Sequence, residues 1–203
     1  MGEERRPEAV SSVIEVVGRH VSELTPVPPE DLPMCLPGLS IPWGWRIGHP
    51  ENSPVLPTRV AVCGRDSVPG WDGCEIINAF SFTGFAAESE VRKNADCTLR
   101  DFNASSIASY TLAAPSEPGV AAVRTSGYFD LVGRRIWAQY STYVCGSETP
   151  RDGLLIEHCI FVGSDSRARL RDDVSELSDA VHEAFLTLLD TVDDDGPTTP
   201  FCQ

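Results

Sequence analysis

The chain has 203 residues, a length that suits one domain, and 41% of them are hydrophobic, which is enough for a buried core. Its formal net charge is −14, from 30 acidic and 16 basic side chains. That charge repels phosphate backbones and anionic lipid surfaces, so we expect no nucleic-acid partner. Lys93 is the only lysine, and the abundance of Ala, Val, Gly, Pro and Asp indicates a GC-rich source such as an actinobacterium.

The sequence contains no apolar run of the ~20 residues that a membrane-spanning helix needs, so we expect no transmembrane segment. Glu3, Glu4 and Glu15 occupy the region where a signal peptide requires a basic start and an apolar core, and no lipobox cysteine is near. As written, the sequence therefore predicts a cytoplasmic protein. The alternative is a location at the cell envelope, or secretion by an unrecognised route.

The first elements in chain order are a helix and a proline-rich connector. Apolar residues recur at helical spacing within residues 7–24, which predicts an amphipathic helix with Pro7 in its first turn. Residues 25–57 contain nine prolines, so a regular helix or a central strand is excluded there. The predicted organisation is an N-terminal helix (1–24), a connector packed on the domain (25–57), an α+β sandwich domain (58–190) and an acidic disordered tail (191–203).

The rest of the chain alternates between strand-like and helix-like patterns. Period-two and β-branched runs predict strands, and periods near 3.6 predict helices. Because several strands follow one another directly, we expect an α+β fold with a mainly antiparallel β-sheet flanked by helices. The predicted strands are 59–63, 75–83, 106–112, 120–130, 135–145 and 153–162, and the predicted helices are 86–102 and 166–190, with Ser164 or Asp165 as the cap of the second.

The clearest pattern is the pair of runs at 120–130 and 135–145, joined by a turn at Gly133. Along each run, alternate residues share a face of the sheet. We expect one face to be core and the other to be only partly covered. Tyr128, Trp137 and Tyr143 are predicted to lie on the less buried face.

Four short motifs resemble a known family. They are residues 39–45 (LSIPWGW), 77–80 (INAF), 119–124 (GVAAVR) and 126–128 (SGY), with Gly84 before the first helix of the domain. Together they resemble the actinobacterial LpqN/LpqT lipoprotein family over roughly residues 40–190. The resemblance implies a PsbP-like α-β-α sandwich and a non-catalytic binding or accessory role, often at the cell envelope. The family's signal peptide and lipid-anchored cysteine are not seen in this sequence.

Seven cysteines are spread along the chain without a CxxC pair, so neither a zinc ribbon nor a thioredoxin-like site is indicated. We expect most of them to be reduced, buried thiols. The alternative is one or two disulfides, Cys63–Cys74 and Cys145–Cys159. The odd number leaves at least one thiol unpaired in a monomer.

No catalytic or metal motif stands out. The four histidines are not spaced as metal ligands, and we expect no metal and no cofactor. His158 and Cys159 are adjacent in a predicted strand and therefore point to opposite faces. Enzymatic activity stays open only as an alternative: a hydrolase or transferase that uses a carboxylate pair, or Cys159 or Cys145 with a histidine such as His182 or His49.

Aromatic residues indicate where a partner would bind. Exposed aromatic side chains in loops are typical of binding surfaces. We therefore predict a non-enzymatic domain that binds a protein partner or an apolar ligand. A further alternative is an assembly or chaperone-like partner that docks through its N-terminal helix. The candidate binding residues are Trp43, Trp45, Trp71, Tyr128, Trp137 and Tyr143.

Overall fold

The fold is seen in a computed structural model, which describes residues 12–28, 31–32, 36, 38–48, 57–64 and 70–194. In these residues, eight strands form one antiparallel sheet, and seven of them follow the order β2-β3-β4-β8-β7-β6-β5. The eighth strand, β1, pairs with residues 80–83 of β4, whereas β3 pairs with residues 73–77 of β4. The strands are β1 (Ser22–Pro26), β2 (Arg46–Ile47), β3 (Arg59–Cys63), β4 (Gly73–Thr83), β5 (Ser105–Thr111), β6 (Val120–Leu131), β7 (Arg134–Cys145) and β8 (Gly153–Gly163). The helices are α1 (Val13–Gly18), α2 (Glu88–Asn94), α3 (Cys97–Asp101) and α4 (Arg171–Asp194).

Helices cover the two faces of the sheet unequally. The long helix α4 places Val174, Leu177, Val181 and Phe185 against one face. The short helices α1, α2 and α3 pack against parts of the opposite face, where Val17, Val91 and Leu99 are buried. The predicted α+β class with a mainly antiparallel sheet is therefore confirmed.

Most predicted strands lie where the pattern placed them, but the N-terminal helix is shorter than predicted. It begins after Ser12, whose hydroxyl accepts a hydrogen bond from the Glu15 amide at 3.3 Å, and ends at Gly18. Ser22–Pro26 form β1 instead and pair with β4. The helix prediction was wrong for these residues. Leu24 can reach the core from a strand as well as from a helix, and pairing with β4 satisfies the hydrogen-bonding groups of the backbone. Residues 7–11 lie outside the described residues.

Two other helix predictions need correction. The helix expected at 86–102 is interrupted at Ala95 and Asp96, and α2 and α3 are separate helices. The helix expected from 166 begins at Arg171, because residues 164–170 form successive turns, so neither Ser164 nor Asp165 caps it. It continues to Asp194, and residues 191–194 are therefore helical rather than part of a disordered tail; residues 195–203 lie outside the described residues.

The segment predicted as a connector contributes to the core where it is described. Leu32 and Leu36 are buried in the cluster that includes Val181 and Phe185 of α4. The segment also contains the two-residue strand β2, which pairs with β3. No helix in the described part of the chain is both long enough and apolar enough to cross a bilayer.

The turn between β6 and β7 has a strained residue. Leu131 pairs with Arg134, so Val132 and Gly133 form a two-residue turn with φ of 48° and 76°. Positive φ at both positions is typical of a type I′ turn, which favours Asn-Gly. Val132 is β-branched and 96% exposed, so it gains little packing there in return for its strain.

Replacing this residue is expected to stabilise the protein. Val132→Asn should raise the free energy of unfolding by about 1 kcal/mol, since asparagine tolerates the left-handed conformation better than valine. Thermal unfolding followed by circular dichroism measures the change. Val132→Thr, which is also β-branched, is the control and should bring no gain; equal effects of the two variants would contradict this account of the turn.

Candidate functional site

The six predicted binding residues do not form one surface. Trp43 is 99% exposed, and Trp71 and Tyr128 are half-buried. Trp45, Trp137 and Tyr143 are buried. The prediction that Tyr128, Trp137 and Tyr143 occupy the less buried face was wrong for Trp137 and Tyr143, because α4 packs over that face and buries both side chains.

A tight turn separates the two neighbouring tryptophans. The Trp45 amide donates to the Pro42 carbonyl at 3.1 Å, and Gly44 has a φ of +85°, which favours glycine. The turn leaves Trp43 in solvent and directs Trp45 back to the core, where its indole Nε1 donates to Asp173 of α4 at 2.9 Å. Trp43 alone retains the exposure expected of a binding residue.

Arginine side chains stack on three of the four other aromatic candidates. Arg167 lies over the ring of Trp137 at 3.8 Å, Arg135 over Tyr128 at 5.6 Å, and Arg134 over Trp71 at 5.3 Å, measured from the guanidinium carbon to the ring centroid. Such cation–π contacts stabilise the end of the sheet near the β6–β7 turn. They also cover aromatic surface that a partner would otherwise use.

A buried ionic network lies on the α4 side of the sheet. The Arg59 guanidinium contacts Glu75 at 2.7 Å, and the other Glu75 oxygen contacts His158 Nε2 at 3.0 Å. Arg59 also donates to the carbonyl of Leu39 at 2.7 Å. Burial alone would raise the pKa of Glu75, but the hydrogen bonds and charges of His158 and Arg59 outweigh burial and hold that pKa below its usual 4.5. The network ties the segment before β2 to β3, β4 and β8.

A second polar group continues this network across the sheet. Ser141 is paired with His158 and Arg124 in register, and Arg124 Nε donates to the Ser141 hydroxyl at 2.8 Å. Arg124 also reaches the Ser178 carbonyl of α4 at 3.1 Å. Register thus brings a hydroxyl, an imidazole and the Glu75 carboxylate to neighbouring positions on one face. Because Glu75, Ser141 and His158 have no solvent exposure, they stabilise the packing of α4 rather than present a reactive surface.

The cysteines do not form the disulfides that were considered. Cys63 pairs with Gly73 across β3 and β4, so Cys63 and Cys74 point to opposite faces. Cys145 pairs with Leu154, far along the β7–β8 ladder from Cys159. Cys63, Cys74 and Cys159 are free thiols, and burial raises the pKa of both Cys63 and Cys74 to about 11. The alternative of disulfides Cys63–Cys74 and Cys145–Cys159 is therefore wrong.

The arrangement also separates Cys159 from His182, one of the candidate catalytic pairs. Cys159 packs with Leu99 on the face of the short helices, whereas His182 stacks on Tyr143 under α4, so this cysteine and histidine lie on opposite sides of the sheet. Burial raises the pKa of Cys159 well above its usual value, which disfavours the thiolate. His49 lies outside the described residues. Among the described side chains, no group of three His, Cys, Asp or Glu residues could hold a metal ion.

The face that carries the short helices has a part that no helix covers fully. Along residues 73–80 of β4 the burial alternates, and the residues there that point away from α4 are only half-buried. The same is true of β3 and of Phe161 in β8. We call this surface the uncovered strip; it consists of Val60, Val62, Cys74, Ile76, Asn78, Phe80 and Phe161.

A small polar cluster borders the uncovered strip. Asn78 Nδ2 donates to a carboxyl oxygen of Glu157 at 3.3 Å, and the Cys159 thiol donates to the same carboxyl group. Burial raises the pKa of Glu157, and these two hydrogen bonds offset only part of the effect. The strip therefore combines an apolar surface with an amide and a carboxyl group whose pKa burial raises. No sequence motif indicated this site, because it depends on how β3, β4 and β8 are paired.

A further surface depression lies beside the short helices. A groove between α1 and the α2–α3 pair has a volume of about 210 Å³ and is lined by Glu15, Arg19, Asn94 and Arg100, among others. Pockets that enclose small molecules usually measure about 300–1,000 Å³. The groove is therefore a weaker candidate than the strip.

Comparison with known proteins supports the fold. No protein-family model matches the chain, and no curated protein is significantly similar to it. Among solved structures, the chain is similar to the crystal structure of LpqN, described as involved in cell envelope biogenesis of Mycobacterium tuberculosis. The TM-score is 0.59 at 19% sequence identity, and the alignment covers 83% of this chain and 94% of LpqN. The fold is thus distantly LpqN-like; membership of the LpqN/LpqT family and the PsbP relationship stay predictions.

Proposed function

We propose that this protein is a non-enzymatic binding domain that holds an apolar ligand on the uncovered strip. The observation that carries the proposal is the half-buried row of apolar side chains on β3, β4 and β8, opposite a face where α4 buries Ala61, Ile77 and Ile160. An apolar surface beside a few oriented polar groups is the usual composition of a ligand site. A role at the cell envelope is part of the proposal and is supported by the likeness to LpqN.

A non-enzymatic role is supported by the state of the titratable side chains near the strip. Burial raises the pKa of the Tyr140 hydroxyl and of the Cys159 thiol, which ordinarily lie above neutral pH already, so both groups favour their neutral form. A nucleophile or general base needs the deprotonated form near neutral pH. These groups are better suited to hydrogen bonding than to proton transfer or covalent chemistry.

The polar cluster indicates what kind of head group the ligand carries. Asn78, a member of the strip, uses its amide nitrogen to contact Glu157, and its side-chain carbonyl oxygen is a hydrogen-bond acceptor. We therefore propose a ligand with an apolar chain and an uncharged donor, such as a hydroxyl or an amide. A carboxylate head group would meet an acceptor and a buried acid, and would lose its hydration without gaining a cation.

The test is a titration of the protein with 1-decanol, followed by amide chemical shifts in NMR spectra. We expect shifts concentrated in β3, β4 and β8, and weaker binding of decanoate. Ile76→Asn should weaken decanol binding by about tenfold or more, because a buried isoleucine contributes about 1.5–3 kcal/mol.

The matched control is Ile47→Asn, which alters a partly exposed isoleucine in β2, outside the strip. It should leave decanol affinity unchanged. Equal losses in the two variants, or shifts that avoid β3, β4 and β8, would contradict the proposed site.

A further inference from the structure

The strand β5 forms an open edge of the sheet. Among the described residues it pairs only with β6, and six of its seven residues are exposed. Its sequence, SSIASYT, has no charged residue and no proline. Natural proteins usually protect such edges with charges, proline or a covering segment. In the described part of the chain, the protection is limited to a bulge near Ser106, which has a φ of 54°.

In the regular part of β5, every second residue directs its backbone amide and carbonyl groups away from the sheet. The Leu112 amide donates to the Ala122 carbonyl of β6 at 2.9 Å. Because hydrogen-bonding direction alternates along an antiparallel strand, Tyr110 also bonds towards β6, whereas Ser109 and Thr111 direct their amide and carbonyl groups away from the sheet. The edge therefore offers two donors and two acceptors in line.

Aromatic side chains lie beside this edge. Tyr110 is 49% exposed and stands on the α4 side of the sheet. Phe102, three residues before the start of β5, is 39% exposed and stacks on Phe129 at 4.8 Å between ring centroids. Exposed aromatic rings flanking an open edge give a partner strand apolar surface as well as hydrogen bonds.

We infer that β5 pairs antiparallel with β5 of a second copy of this chain, about a two-fold axis at Tyr110. In this register Ser109 of one copy lies opposite Thr111 of the other, and the two Tyr110 rings form a cross-strand pair. A two-fold axis places each residue near its own copy, so a self-pairing edge must not oppose like charges. With a net charge of −14 on each chain, the uncharged β5 edge meets that condition.

The test is analytical ultracentrifugation over a wide range of protein concentrations, with a reducing agent present because the chain has seven cysteines. We expect a reversible dimer that is strengthened by salt, since salt screens repulsion between the acidic chains. Ser109→Pro removes an outward amide without removing a bond to β6, and should abolish the dimer. Ser109→Lys places like charges near the axis and should do the same.

Ser109→Ala keeps the backbone amide and is the matched control; it should dimerise like the unaltered protein. Circular dichroism of each variant verifies that the monomer is folded. The inference is overturned if the unaltered protein stays monomeric at every concentration, or if folded Ser109→Pro and Ser109→Lys dimerise as well as Ser109→Ala.

Discussion

Replacing Glu75 by alanine is expected to lower the free energy of unfolding by about 3–5 kcal/mol. Glu75 has no solvent exposure and bonds both to Arg59 and to His158. Its removal leaves a buried guanidinium without its carboxylate and a buried imidazole without its acceptor, and both groups have lost their hydration. Urea unfolding at neutral pH, followed by circular dichroism, measures the loss.

The control for this experiment is an ion pair on the surface. Glu88 pairs with Arg92 one turn later in α2, and both side chains are 48% exposed. Glu88→Ala should cost no more than about 0.5 kcal/mol, because solvent screens the pair. If Glu75→Ala costs as little as Glu88→Ala, the network does not hold β3, β4 and β8 together as described.

The same network predicts a dependence of stability on pH. The folded-state pKa of Glu75 lies below its usual value of 4.5. Its ionised form is therefore favoured by folding, and the stabilisation is fully present above pH 4.5 and is lost as the pH falls through the folded-state pKa. In Glu75→Gln the loss of stability at acid pH should be smaller than in the unaltered protein. The free energy of unfolding of both proteins, measured as a function of pH, tests this.

Replacing Trp45 by alanine is expected to cost about 3–5 kcal/mol, whereas replacing Trp43 by alanine should change stability by less than about 0.5 kcal/mol. The two residues have 6% and 99% exposure, respectively. Trp45 packs against Gly73 and the Cys63 region of the core and donates to Asp173, so its loss leaves a cavity and an unpaired acceptor. Trp43 contributes no buried area that its removal would expose.

Trp45→Phe separates the two contributions of the buried indole. Phenylalanine retains most of the apolar packing but cannot donate to Asp173, so its cost should lie between those of the two alanine variants. Thermal and urea unfolding of the three variants provide the comparison. Equal stabilities of Trp43→Ala and Trp45→Ala would contradict the orientation that the turn gives to these side chains.

Local patterns identified the individual strands well. The range 59–63 predicted from β-branched residues coincides with β3, and the ends of β6, β7 and β8 lie within one residue of their predictions. These runs succeed because alternation over many residues is a strong local signal. The N-terminal prediction failed at Ser22–Pro26, where pairing with the distant strand β4 overrides a helical spacing of apolar residues.

The candidate site could not be predicted in the same way. Asn78 and Glu157 meet because β4 pairs with β8, although about eighty residues separate them in the chain. The same pairing brings His158 to Glu75 on the opposite face. Neither contact has a motif of its own, since each is set by strand register.

Taken alone, the sequence determined which residues alternate along each strand, and therefore which of them share a face. It also determined the class of the fold, because long alternating runs follow one another without intervening crossover helices. Only the tertiary structure decided which face α4 covers. Trp137 and Tyr143 are buried, whereas the uncovered strip is only half-buried. The alternation of side chains along a strand looks the same for both faces of the sheet, so it cannot show which face is covered. That choice is made by the packing of helices that are distant in the chain.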